Sequence, residues 1–361
     1  MTTDPMLVFS REEYARRLEA VRGKMRERGA DVVVVDEAEH LCYLTGFDRS
    51  ATRYQACAVP LEGDPVMCLR SLEESSFLER SWLSDYVTFA DWEDPVQVLA
   101  RTLAERGWAS RHVGLELDSN YLSVRRWQAI TRALPGAIFV DFGGVLRRLR
   151  LCKSPREITY LRQAARIADQ AMLVAATAAG EGKSEREAAA AASRAFIELG
   201  GDHGRAGIIT SGTRAGSLHG VLGHRRLRPG DILHLELVPQ VHGYSARLMR
   251  PTAIGTPSPA QAHAARTLIE IQDRELAAMK PGAVAREVDG ICREAVLAAA
   301  SRGPWATGRR GGHRLAGPGR TPCARLRRPC TAPSSLWLCS SRSPRSSRSR
   351  GGSASPIRSS W

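Results

Sequence analysis

The chain has 361 residues, 43 % of them hydrophobic, with 52 basic and 38 acidic side chains. That length suits two domains rather than one, and no run approaches the roughly 20 apolar residues that cross a bilayer. The net charge of +14 would suggest a nucleic-acid partner, but thirteen Arg and no Lys, Asp or Glu stand from residue 301 onward, which leaves 39 basic against 38 acidic residues before it. The body is electrostatically ordinary, so neither a membrane nor a nucleic acid is expected as its partner.

The opening MTTDPMLVFSREEYARR has no basic region followed by an apolar stretch, so no secretory signal is expected. The eight cysteines form no CxxC pair. Both features point to a reduced, cytoplasmic protein.

Residues 9–29 predict an amphipathic helix, with Ser10 as N-cap, Leu18, Val21 and Met25 at helical spacing and Gly29 closing it. DVVVVD (31–36) predicts a short buried strand, LCYLTGF (41–47) a second apolar segment, and residues 54–70 a hairpin turning at Glu62-Gly63-Asp64. A helix from DPVQVLARTLAERGW, a strand from HVGLELD, a helix from YLSVRRWQAITRALPG and a strand from AIFVDFGG follow. This alternation over residues 1–150 predicts an α/β N-terminal domain.

A second domain, 151–300, opens at KSPREI, where Ser154 caps a helix, Pro155 takes its first position and Glu157 completes a capping box. A second helix begins at Ser184, followed by AGIITSG (206–212), a long strand pair over 232–255 after the Gly230-Asp231 turn, and helices over 258–279 and from 283 to about 300. Residues 301–361 carry no hydrophobic period and predict a disordered tail.

YLTGF (43–47), KSPREI (153–158), SGTRAGSLH (211–219), RLRPGD (226–231) and GYSARLMR (243–250) together resemble the creatinase/prolidase superfamily of pita-bread hydrolases, which includes Xaa-Pro peptidases, creatinase and ectoine hydrolase. The resemblance spans nearly all of residues 9–300 and rests on the order and spacing of the motifs. It implies a creatinase/prolidase-type N-domain followed by a truncated α+β pita-bread domain, a homodimer in the intact family, and a small-molecule or short-peptide substrate.

The resemblance also assigns roles. His219 stands twelve residues before Asp231, where the family places its catalytic His. Metal-dependent members hold two ions on an Asp five residues after that turn and another eleven further on. Here those positions are Glu236 and Arg247. A guanidinium has no lone pair to offer and stays protonated, so Arg247 would repel a dication and neutralise Glu236. The pattern is closer to creatinase and ectoine hydrolase, with no metal and no other cofactor expected. His219 is then the proton-transfer group, and Glu236, Arg247, Arg250 and Arg70 are the substrate-binding residues, the arginines clamping a carboxylate.

Plainer readings stand beside these. Glu236 and Arg247 also fit a cross-strand ion pair holding a hairpin, and His234, alternating with Leu233 and Leu235, fits an outward-facing strand residue. The tail's RSPRSSRSR fits an RNA-binding segment. Its composition, with one His and no acid, also fits a GC-rich gene read out of frame from about Ser301. On that reading the second half of the active site is lost and the hydrolase is inactive or severely impaired. A non-catalytic protein that binds a peptide or another protein on the same fold is the remaining alternative.

Overall fold

The strand VVVV shows how the first half of the chain folds. In the computed structural model, which describes residues 6–47, 53–217 and 219–302, β1 (Val32–Val35) is buried at all four positions. It lies between β2 (Ala56–Pro60), antiparallel, and β5 (His112–Leu115), parallel. A strand inside a sheet covered on both faces needs apolar side chains at every position, which explains the uninterrupted valines. The sheet has six strands, completed by β3 (Val66–Arg70), β4 (Tyr86–Phe89) and β6 (Ile138–Asp141), in the order β4-β3-β2-β1-β5-β6.

The parity of β1 divides two cores. Val33 and Val35 pack with Leu18, Val21 and Met25 of α1 (Arg11–Arg28) and Leu41 and Leu44 of α2 (Ala38–Thr45). Val32 and Val34 pack with Val96, Leu99 and Leu103 of α4 (Pro95–Glu105) and Ile130 of α5 (Val124–Ala133). The Ser10 hydroxyl accepts from the Glu13 amide and Gly29 closes α1 at φ 68°. The apolar segment at 41–47 lies mostly in α2. Residues 71–93, for which no element was predicted, include α3 (Glu74–Arg80) and β4. A short helix α6 (Val145–Leu149) ends this unit, Met1–Leu151.

One polar cluster lies within it. Asp36, His40, Glu116 and Tyr54 are all nearly inaccessible, and His40 Nδ1 lies 2.6 Å from Glu116 Oε1. Burial pushes the Asp36 carboxyl up from 3.8 to about 6, with Glu116 and Glu37 adding to the effect and the nearby Ser119 and Tyr54 hydroxyls opposing it. Between those two values the native state holds a proton that the unfolded chain has released, so stability falls as pH rises through the window. The shift corresponds to about 3 kcal/mol. Asp36→Asn should therefore stabilise the protein at pH 7–8 and do little near pH 4. Thermal melts of both proteins across that range test this, and a gap that does not change with pH would refute it.

The second unit, Cys152–Trp361, is described to residue 302. It begins with α7 (Pro155–Ala178) and α8 (Glu185–Glu198), each started by a complete capping box, Ser154/Glu157 and Ser184/Glu187. Three antiparallel strands follow, β7 (Ile209–Ser211), β8 (Ile232–Leu237) and β11 (Leu248–Ala253), in the order β11-β8-β7, with α7 packed on them. Between β8 and β11 the chain makes a small ribbon, β9 (Gln240–Val241) with β10 (Tyr244–Ser245). Then α9 (Pro259–Ala278) and α10 (Ala285–Arg302) pack on each other. The expectation of disorder over 301–361 concerns residues that, from 303 on, lie outside the described ones. No helix among the described residues is long and apolar enough to cross a membrane.

Candidate active site

Strand β8 sorts its side chains onto two faces. Leu233, Leu235 and Leu237 are fully buried on one, and His234 and Glu236 share the other. The second face is covered as well: His234 is 8 % and Glu236 6 % exposed. His234 is therefore not an outward-facing strand residue. Across the sheet, Thr210 of β7 pairs with His234, and Met249 of β11 with Glu236, so both belong to this face. Glu236 is held by its backbone too, its amide donating to Ile208 O at 2.9 Å. At Gly207 any side chain would strike the chain, since a Cβ there would lie 2.2 Å from Glu236 O.

Arg247 stands two residues before Met249 and so has the parity of Glu236. Its Nε lies 2.9 Å from Glu236 Oε1, with the arginine side chain 49 % and the glutamate 8 % exposed. Glu236 Oε2 has no hydrogen-bond partner among the described residues. Burial holds the His234 imidazole below its usual basicity, Glu236 opposing this and Arg247 adding to it.

His219 lies on the loop joining β7 to β8. Its side chain is exposed and makes no hydrogen bond or ion pair with the described residues. The loop is pinned by a residue that sequence reasoning passed over. Glu185, fully buried at the start of α8, accepts from Ser211 N at 2.8 Å, Ser211 Oγ at 2.7 Å, Gly223 N at 2.8 Å and Arg214 Nη2 at 2.6 Å. A second clamp sits beside it. Arg225 donates to both oxygens of Asp231 at 2.7 and 2.8 Å. Its guanidinium also fills the space over Gly212, where a Cβ would come within 2.6 Å of Arg225 Nε.

Arg250 and Arg70, the other two expected binding residues, have partners of their own. Arg250 pairs in register with Leu235, which puts it on the face opposite Glu236, and it donates to the Met249 carbonyl. The odd-to-even step from 247 to 250 reverses its side. Arg70, at the end of β3, is engaged by Asp91 through Nε at 2.5 Å and Nη2 at 2.6 Å. A hollow of about 370 Å³ lies beside that pair, lined by Leu72, Ala90 and Trp92 among others. Another of about 470 Å³ lies between α7 and His242. Neither includes Glu236, His234 or His219.

Among the described residues no group of three His, Cys, Asp or Glu is placed to hold a metal ion, and the cation of Arg247 is paired with the carboxylate of Glu236.

Two family models tile the chain: the creatinase/prolidase N-terminal domain over residues 17–152 and metallopeptidase family M24 over residues 159–316. Ectoine hydrolase from Halomonas elongata is 30 % identical over 297 residues, which is 76 % of this chain and 74 % of that protein. The chain belongs to the creatinase/prolidase family. A Xaa-Pro dipeptidase from Pyrococcus furiosus is 28 % identical over 283 residues, covering 78 % of this chain and 76 % of that one. Among solved structures, the dipeptidase PepE from Mycobacterium ulcerans superimposes with a TM-score of 0.65 at 28 % identity, over 81 % of this chain and 78 % of its own. The family identifies β7, β8 and β11 as part of the pita-bread domain, and the M24 match runs past the composition break at 301.

Proposed function

We propose that this creatinase/prolidase-family hydrolase has a site built for metal-independent cleavage of a C–N bond in a small amide, and that the present chain turns over poorly. The observation that carries the reading is the ion pair between Arg247 and Glu236, which puts a fixed positive charge where metal-dependent relatives need a ligand. In the proposed reaction His219 takes a proton from water, the water oxygen adds to the substrate's carbonyl carbon, the C–N bond breaks, and His219 returns the proton to the leaving nitrogen. Nε of Arg247 lies against Glu236 and half of the arginine side chain is exposed, which leaves it able to take a substrate carboxylate. The similarity to an ectoine hydrolase supports a small zwitterionic substrate. The similarity to a Xaa-Pro dipeptidase supports a dipeptide, a reading that the arginine disfavours. Turnover is impaired because the family's second half would bring a further His and two Glu, and residues 303–361 contain one His and no acid.

Elemental analysis of gently purified protein tests the metal-independent reading. No stoichiometric dication is expected, and a full complement of manganese, zinc or cobalt would overturn it.

A further inference from the structure

The loop that carries His219 has a narrow neck, and one guanidinium closes it. Arg214 Nη1 donates to the Val221 carbonyl at 2.8 Å, so the chain between them returns on itself with His219 inside. Nη2 of the same group lies 2.7 and 2.6 Å from the two oxygens of Glu185. Glu185 in turn accepts from the amide of Ser211 on one side of the neck and from that of Gly223 on the other, both at 2.8 Å. Inside the neck the chain makes consecutive turns. Ser217 N donates to Arg214 O at 2.8 Å, and Gly220 N donates to Ser217 O at 2.9 Å. A short loop closed at its ends in this way has few shapes open to it.

One contact fixes where the loop lies. A Cβ added to Gly220 would come within 2.5 Å of Thr210 Cγ2, so the residue after His219 rests directly on the fully buried Thr210 side chain. Only glycine permits so close an approach. Thr210 pairs with His234 across the sheet and shares the face of Glu236. His219 is thereby set at the border of the face that carries the Glu236–Arg247 pair.

We infer that Arg214 is the positioning residue for His219: its fork ties the neck of the loop to the buried Glu185 and so holds Gly220 on Thr210. The inference rests on the reading of His219 as the proton-transfer group. The role calls for a rigid group with two donating ends, which a guanidinium supplies. With one end alone the loop would be open at its neck, or closed but detached from the start of α8. An oriented base acts only when it is held within about 0.5 Å of productive geometry, a condition that a loop hinged at its neck would not meet. The Arg214 side chain is 40 % exposed, so it can be replaced without emptying a core.

Nuclear magnetic resonance of the full chain tests this. In the wild type the Gly220 α-protons and the Thr210 methyl group should give a strong Overhauser contact. Arg214→Met should lose that contact at temperatures well below the melt and shift the His219 ring resonances, while those of His263 on α9 stay in place. A residue that merely stabilised the fold would lower the melting temperature and leave the contact intact in the protein still folded. Arg214→Lys separates the two roles. It keeps a positive charge for Glu185 but offers one nitrogen in place of a fork, so it should recover melting temperature and not the contact. The inference is overturned if the contact survives in Arg214→Met, or if Arg214→Lys recovers both. Should Arg214→Met fail to fold, the lysine variant decides. In those outcomes the reading of His219 as the base is untouched and is tested by its own replacement. Absence of the contact from the wild type would overturn the inference and also remove His219 from the face of Glu236, so that the site reading falls with it.

Discussion

Glu185→Ala is expected to destabilise the second unit by about 3 kcal/mol. The substitution strips a fully buried carboxylate of its role as acceptor for two backbone amides and the Ser211 hydroxyl, and leaves the Arg214 cation without its counter-charge. Removing one partner of a buried pair typically costs about 3–5 kcal/mol, and the lower end applies because the Arg214 side chain is 40 % exposed and can rehydrate. Denaturant melts followed in the second unit measure the loss, and a change below about 1 kcal/mol would mean that the loop is held by other contacts. The pH dependence has a definite sign. Burial raises the Glu185 carboxyl's affinity for a proton, but the donors from Ser211, Arg214 and Gly223 outweigh it, so the native value lies below 4.5. The stabilisation is present above 4.5 and is lost as pH falls through the lower native value. Wild type and Glu185→Gln should therefore converge in acid.

His219→Ala should act on turnover and leave stability nearly untouched, because the side chain is exposed and unbonded among the described residues. We propose that the residues after about 300 are read out of frame, and the experiment uses a chain in which the other frame is restored there. There, replacing an oriented base is expected to slow hydrolysis of a small amide roughly 10²–10⁴-fold, with the melting temperature unchanged. The present chain should show no hydrolysis above background against Xaa-Pro dipeptides, creatine or ectoine. Full activity of the restored His219→Ala protein would place the base elsewhere, and appreciable hydrolysis by the present chain would mean that the site is complete without restoration.

Much of the fold was legible because its signals are local. Ser10, Ser154 and Ser184 each accept from the backbone amide three residues on, and a cap is written in four consecutive residues. The buried valines of β1 and the hairpin of β2 and β3 are equally local. Sheet order was not legible, since β1 pairs with both β2 and β5 and nothing in four valines names the partner. In the site, the Glu236–Arg247 pair could be read because family spacing brings both into view. Glu185 could not. It sits inside a capping box and looks like an ordinary acidic first-turn residue, while its partners are 26 to 38 residues away. Arg250 shares the face of Leu235, and nearness in sequence to Arg247 hides that change of face. The covering of His234 was missed because alternation reports that a strand has two faces without reporting what lies on the second.

The half-exposed guanidinium of Arg247 has a consequence for how the protein would meet its surroundings. A centre built on divalent ions answers to chelators and to the supply of metal, and is indifferent to ordinary salt. Here the counter-charge is covalently part of the chain, so it can be neither stripped nor exchanged, but its outer side is open to water at 49 %. Dissolved ions screen such a charge over about 8 Å at physiological strength. Any acidic molecule that Arg247 recruits should therefore bind less tightly as sodium chloride is raised, while EDTA leaves its binding unchanged.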